Sequence, residues 1–216
     1  MMQRNGKRKT REQLSKKRVP KLGNYLIITD TEKTEDNYFT GLRDSLPKEL
    51  QGNLVIQVHK TRTARLIQEA QNKAALATQY AETWIVFDRD RVQGFDSIIT
   101  TAENMGFRVG WSNPCIEIWF SAYFGVMPKN KDSNSCCRDF EREFFRVVGQ
   151  EYRKSDQNIY SQLTRYGNEI QAVKIAKQKM AEHTKNRKTK PSDMYPATKL
   201  YALVEEIVSV VRKTSG

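Results

Sequence analysis

Three aspartates stand where extended segments run out. Asp30 follows Tyr25–Thr29 (YLIIT), and Asp88 and Asp90 belong to the FDRD that closes Trp84–Phe87 (WIVF). Side chains at i and i+2 of an extended segment point the same way, so Asp88 and Asp90 are expected to share one face. Carboxylates converging in a partly buried place repel unless a cation neutralises them or one takes a proton. Hard oxygen ligands select Mg²⁺ or Mn²⁺, and Mg²⁺ keeps waters that a substrate phosphate can displace. The chemistry implied is metal-assisted phosphoryl transfer, with Asp30, Asp88 and Asp90 as metal ligands and catalytic groups. A plainer reading competes: DxD after a strand is a common turn sequence, and Asp90 also fits a cap or an ion pair with Arg89 or Arg91.

Further candidates flank these strand ends. Lys33, in Glu32–Lys33–Thr34–Glu35, stands at the first crossover, where it could hold a phosphate or damp charge repulsion. Thr34 fits the cap of the next helix, and Glu35 its first turn; Glu32 and Glu35 remain candidate site acids. In Ser112–Asn113–Pro114–Cys115–Ile116–Glu117, Asn113 could position a phosphate or a carboxylate ligand. Glu117 falls in the first turn of the following helix, which suits an acid whether or not it has chemistry. His59 and Lys60 end the second strand; a lone His there is more often a surface residue than a general base.

The elements that must position these residues alternate. Strands are predicted at Tyr25–Thr29, Leu54–Val58, Trp84–Phe87 and Phe107–Gly110. Between them lie helical patterns: Tyr38, Phe39, Leu42 and Leu46, stopped by Pro47; then Leu66, Ile67, Ala70, Ala74 and Ala77, capped by Thr63; then Phe95, Ile98, Ile99, Ala102 and Met105, ended by Gly106. Helical connections of that length imply right-handed crossovers and a mainly parallel four-stranded sheet flanked by helices, an α/β class. Open parallel sheets bind ligands at the carboxyl ends of their strands, where the aspartates are. Ser112 or Asn113 fits the cap of a helix with Pro114 in its first turn, running to about Phe124. Residues 125–138 read as a polar loop. Phe140, Phe144, Phe145 and Val148 follow as one helix face, then a long basic helix over about 158–183. A last helix carries Leu200, Leu203, Val204, Ile207 and Val211. This gives a basic arm (1–21), an α/β core (22–127) and a helical C-terminal extension (128–216).

The net charge of +12 on 216 residues is unevenly spread. Residues 1–21 carry nine Lys/Arg against Glu12, and residues 171–190 carry seven against Glu182, so the rest sums to −2. Basic arms hold polynucleotide by releasing condensed counterions, without reading sequence. Lys174, Lys177, Lys185, Arg187 and Lys188 are therefore candidate nucleic-acid contacts; a solvated tail is the bland alternative. Mean hydropathy is −0.72, and apolar runs of four or five residues fall far short of the roughly 20 of a membrane span. No apolar stretch backs the basic N-terminus as a secretory signal would require, so a cytoplasmic location is expected. Cys115, Cys136 and Cys137 lack disulfide or zinc spacing and are expected as free thiols.

Four segments in this order resemble the RloB-like family: Leu26–Phe39 (LIITDTEKTEDNYF), Val86–Asp90 (VFDRD), Ser112–Phe120 (SNPCIEIWF) and Pro196–Val204 (PATKLYALV). The EKTE-x-NYF and SNP-x-x-E-x-W elements are the specific ones. The resemblance implies a Toprim-like fold, in which a Glu after the first strand serves acid–base chemistry and a DxD, here Asp88 and Asp90, holds Mg²⁺. It also implies anti-phage defence or abortive infection, and an ABC/OLD-like ATPase partner. The family's first motif reads Glu-Gly-Glu-Lys-Thr-Glu, so Asp30 replaces a Glu and Thr31 a Gly. A carboxylate one methylene shorter can miss a pre-organised geometry by an ångström. Two functions are therefore expected: a metal-dependent nuclease, or a non-catalytic module that binds nucleic acid or an ATPase.

Overall fold

The computed structural model of the chain describes residues 24–30, 33–51, 54–58, 63–76, 80–90 and 92–214. The basic arm, Glu32, His59, Lys60 and the side chains of Thr63 and Val211 lie outside them. Parallel strands β1 (Asn24–Thr29), β2 (Leu54–Val58), β3 (Tyr80–Asp88) and β4 (Arg108–Asn113) are joined by two-residue β5 (Ala197–Thr198), in the order β2-β1-β3-β4-β5. Only β5 runs antiparallel, pairing with Ser112 and Asn113 at the carboxyl end of β4. From β1 the chain crosses outward to β2 and then returns past β1 to β3. The order therefore reverses between β1 and β3, and a crevice opens at their carboxyl ends.

Period-2 alternation divides the core into two layers. Leu26, Ile28, Ile85, Phe87, Val109 and Trp111 face α3 (Thr63–Leu76) and α4 (Phe95–Asn104), through Leu66, Ala70, Phe95 and Ile99. Tyr25, Ile27, Trp84 and Val86 face the other way, toward α1 (Thr34–Asp44) and the helices that follow β4. After the short α2 (Lys48–Gln51) and the two α3/α4 crossovers come α5 (Glu117–Tyr123), α6 (Ser133–Val148), α7 (Ile159–Tyr166), α8 (Glu169–Lys185) and α9 (Leu200–Thr214). Phe120, Phe140, Phe144, Leu163, Ala172, Leu203 and Ile207 of these helices share one core with the sheet. Gly110 is what lets α9 lie so close, since a Cβ there would meet Leu200 Cδ2 at 2.9 Å.

Several local expectations change. The N-cap of α1 is Lys33, not Thr34, whose Oγ1 instead donates to the Lys154 carbonyl at 3.3 Å. Helix α5 starts at Glu117, three residues beyond Pro114; Ser112 and Asn113 are taken up by β4 and its edge. Helix α6 begins at Ser133, inside the expected loop, because Asp132 Oδ1 accepts the Ser135 N–H at 2.8 Å. Phe145, expected on its buried face, is 59% exposed. The basic helix is two helices. Gly167 passes so close to Tyr123 that a Cβ would sit 2.7 Å from its carbonyl oxygen, and Asn168 then caps α8 through the Gln171 N–H at 2.9 Å. No helix among the described residues is long and apolar enough to cross a membrane.

Candidate metal centre

Four carboxyl groups from four positions in the chain gather at the carboxyl edge of the sheet, near enough to feel one another's charge, although among the described residues only Cys115, Glu117 and Cys137 bring three ligand atoms within 4.8 Å of one another. Asp30 leaves β1, Asp88 is the last residue of β3, Glu35 lies in the first turn of α1, and Glu117 opens α5 after β4. Glu35 and Glu117 are each 1% exposed, whereas Asp30 and Asp88 retain some exposed surface. One oxygen of Asp88 is fixed: Oδ2 accepts the Ile116 N–H at 2.9 Å, locking the end of β3 to the loop before α5. Glu117 Oε1 accepts from the Tyr152 hydroxyl at 3.1 Å and lies 3.5 Å from the Lys154 ammonium. Its Oε2 is buried with no hydrogen-bond partner among the described residues.

The electrostatics follow from this crowding. Burial, then the charge of Asp30, and further Glu117, push the Glu35 carboxyl up to about 8, with Lys154 pulling the other way. Burial raises Asp88 well above the carboxylate range, aided by Glu35, Glu117 and Asp30 and opposed by the Ile116 N–H. Burial works against the Lys154 ammonium, but Glu117, Cys137 and Cys115 outweigh it and raise its pKa. The cluster is thus a place of strong negative potential that takes up protons in the absence of another cation.

The expected aspartate trio divides. Asp30 and Asp88 come together, but Asp90 does not join them: β3 ends at Asp88, so the extended geometry needed for a shared face is gone. Asp90 is exposed in a turn, with its N–H donating to the Pro114 carbonyl at 3.1 Å. It lines a small cleft with Arg89, Pro114, Lys131 and Asp132–Asn134. Lys33 is exposed at the start of α1. Asn113 faces a segment of its own chain: its Nδ2 donates to the carbonyls of Pro191 and Ser192 at 3.0 and 3.2 Å, latching that segment over the sheet edge. Tyr152 and Lys154, between α6 and α7, carry no sequence signal. The acids of the EKTE and SNP-x-x-E elements did carry one, in their motif positions.

Cys115, Glu117 and Cys137 could also hold a metal ion, since their ligand atoms all lie within 4.8 Å of one another. All three cysteines are free thiols. A hydrogen bond with Cys136, and burial, keep the Cys115 thiol protonated; Cys137 is raised by its hydrogen bond with Cys115 and by burial.

Of the basic residues, Lys174, Lys185 and Arg187 are exposed, and Lys177 pairs with Glu205 at 2.5 Å. Lys188 donates to the Asp193 carbonyl at 2.8 Å and lies 4.9 Å from the centre of the Tyr195 ring. Lys131 approaches the same ring to 5.3 Å. The segment after α8 thus links the basic stretch to the Asp90 cleft, beside the acidic cluster.

Among known proteins, the family described as RloB-like protein matches residues 25–207. No curated protein and no solved structure matches the chain.

Proposed function

The chain belongs to the RloB-like protein family, and from that premise we propose that it is a metal-dependent nucleic-acid phosphodiester hydrolase of the Toprim type. The observation that carries this reading is the convergence of Asp30, Glu35, Asp88 and Glu117 at the strand-order reversal. Crowding four acids at one edge is a poor way to stabilise a fold, since desolvated like charges oppose each other. It is a good way to hold Mg²⁺ or Mn²⁺, and the all-oxygen set fits those ions. A bound ion would supply charge stabilisation to the phosphate oxygens and lower the pKa of its water.

The protein's own groups divide the remaining work. Asp30 and Asp88 keep exposed surface and would meet the cation, and Asp88 is pre-oriented by the Ile116 N–H. Glu35 and Glu117 lie buried behind them, adding negative charge, with Glu35 able to store a proton near neutral pH. Lys154, with 60% of its side chain exposed, is placed to position a phosphate. Lys131, Lys188, Lys185 and Arg187 give a basic rim along which a polynucleotide backbone could run. Restraint or triggering by an ATPase partner in antiviral defence belongs to the same proposal.

One observation favours a non-catalytic binding module instead: Asp30 brings its carboxylate one methylene short of a Glu. The deciding experiment is cleavage of tRNA, single-stranded DNA and duplex DNA with Mg²⁺, Mn²⁺ or EDTA. Cleavage that needs the ion and falls in Asp88→Asn supports the hydrolase. Binding without cleavage in every condition supports the module.

A further inference from the structure

We propose that Cys115, Cys137 and Glu117 form a second metal site, selective for a soft divalent ion of the zinc type, with Lys154 as the counter-charge at its mouth. The two sulfurs and the carboxylate oxygen lie within 4.8 Å of one another. Around a tetrahedral ion, bonds of about 2.3 Å to sulfur and 2.0–2.2 Å to oxygen put ligand atoms about 3.3–3.8 Å apart. The site therefore needs to contract by no more than about 1 Å, a side-chain adjustment. Its scaffold is firm. Cys115 lies in the loop between β4 and α5, whose neighbour Ile116 is tied to Asp88, and Cys137 is on α6.

A second observation points to a ligand. Glu117 Oε2 is buried with no hydrogen-bond partner among the described residues, although Oε1 has both Tyr152 and Lys154. A buried carboxylate oxygen left bare is costly, and a cation removes that cost. Lys154 shows that a positive charge is welcome here: its ammonium stands 3.5 Å from Glu117 on a largely exposed side chain that can swing away. Thiolate ligands distinguish this site from the all-oxygen cluster and select zinc-type ions over Mg²⁺. Binding converts two thiols into two metal–sulfur bonds, releases two protons to solvent and displaces the ammonium. Glu117 also faces Glu35 and Asp88, so an ion here lowers the negative potential of the neighbouring cluster.

The test uses the full chain, stripped with chelator and titrated with Co²⁺ and then Zn²⁺. One equivalent of Co²⁺ should give a thiolate-to-metal charge-transfer band and release two protons, and Zn²⁺ should bleach the band. Cys137→Ser, at a half-buried position, removes one of the two sulfur bonds, so it should lose at least half of the band and weaken Zn²⁺ binding beyond the roughly 100-fold typical of an outer ligand contact. Cys136→Ser should keep both. Lys154→Met should tighten binding about tenfold or more by removing the competing charge. Circular dichroism reports that each variant is folded. A folded wild type without the band, or a band of undiminished intensity in Cys137→Ser, overturns the site; unchanged affinity in Lys154→Met overturns the counter-charge role. Glu117 and Lys154 are shared with the proposed hydrolase site, but the charge-transfer band reads the cysteines, which take no part in the proposed hydrolysis, so the band and the cleavage assay can fail independently.

Discussion

Replacing Glu35 with Gln should remove a substantial part of the pH dependence of stability near neutrality. In the folded chain this carboxyl is raised from its ordinary 4.5 to about 8, chiefly by burial and then by Asp30. Between those values the folded state binds more protons than the unfolded state, so stability is full at acid pH and is lost as pH rises toward 8. A displacement of that size corresponds to about 4–5 kcal/mol across the window. Proton sharing with Asp88, itself raised, spreads it over the cluster, leaving about 2–4 kcal/mol to Glu35 itself. At 1% exposure, solvent screening does little to reduce this further. The neutral amide cannot ionise, so Glu35→Gln should match wild type near pH 5 and exceed it by that margin at pH 8.5. For a chain of this length the gain is about 5–12 °C in melting temperature. Urea unfolding in EDTA from pH 5 to 8.5 measures both slopes. A variant with the wild-type slope, or one less stable than wild type at pH 8.5, would refute the account. Saturating Mg²⁺ should flatten the wild-type profile in the same way.

Asp88→Asn should cut metal-dependent cleavage at least about tenfold by weakening the ion's hold, while raising neutral-pH stability in EDTA. Asp30→Glu should preserve or increase turnover, within the roughly 10²–10⁴-fold range of acid–base groups, read from single-turnover cleavage. Lys131→Ala and Lys188→Ala should each lower the slope of log affinity against log salt by about 0.7 for a single strand, measured by fluorescence anisotropy. Gly167→Ala should destabilise by more than about 2 kcal/mol in urea unfolding, because its Cβ would meet the carbonyl oxygens of Tyr123 and Leu163 at 2.7 and 2.8 Å.

The sheet was legible because burial on both faces leaves near-continuous apolar runs such as YLIIT and WIVF, and these became β1 and most of β3. The polar start of β3, Tyr80–Thr83, was missed because pairing with β1, not hydrophobicity, makes it a strand. The carboxyl edge was readable as a place for acids, yet its membership was not. Glu35 and Glu117 look like ordinary first-turn acids, and nothing local records that the chain folds over them. Asp90 looked equivalent to Asp88 until the strand ended between them. The Cys115–Cys137 pair, and Tyr152 and Lys154 against Glu117, depend on how α5, α6 and the segment after them pack, so sequence spacing could not reveal them.

The core on the Tyr25–Trp84 side of the sheet is closed by helices from the second half of the chain, ending with Leu200–Ile207 of α9. A ribosome delivers that helix after every other described element. Until it emerges, Gly110 has no Leu200 against it, and the Arg108–Glu206 and Tyr25–Glu206 links that tie β1 and β4 to α9 cannot form. Synthesis at about 5–20 residues per second therefore leaves the nascent chain with an unfinished core for several seconds. Tyr152 and Lys154 also arrive after the strands whose acids they steady. An incomplete translation product would hold the acidic edge without its supports.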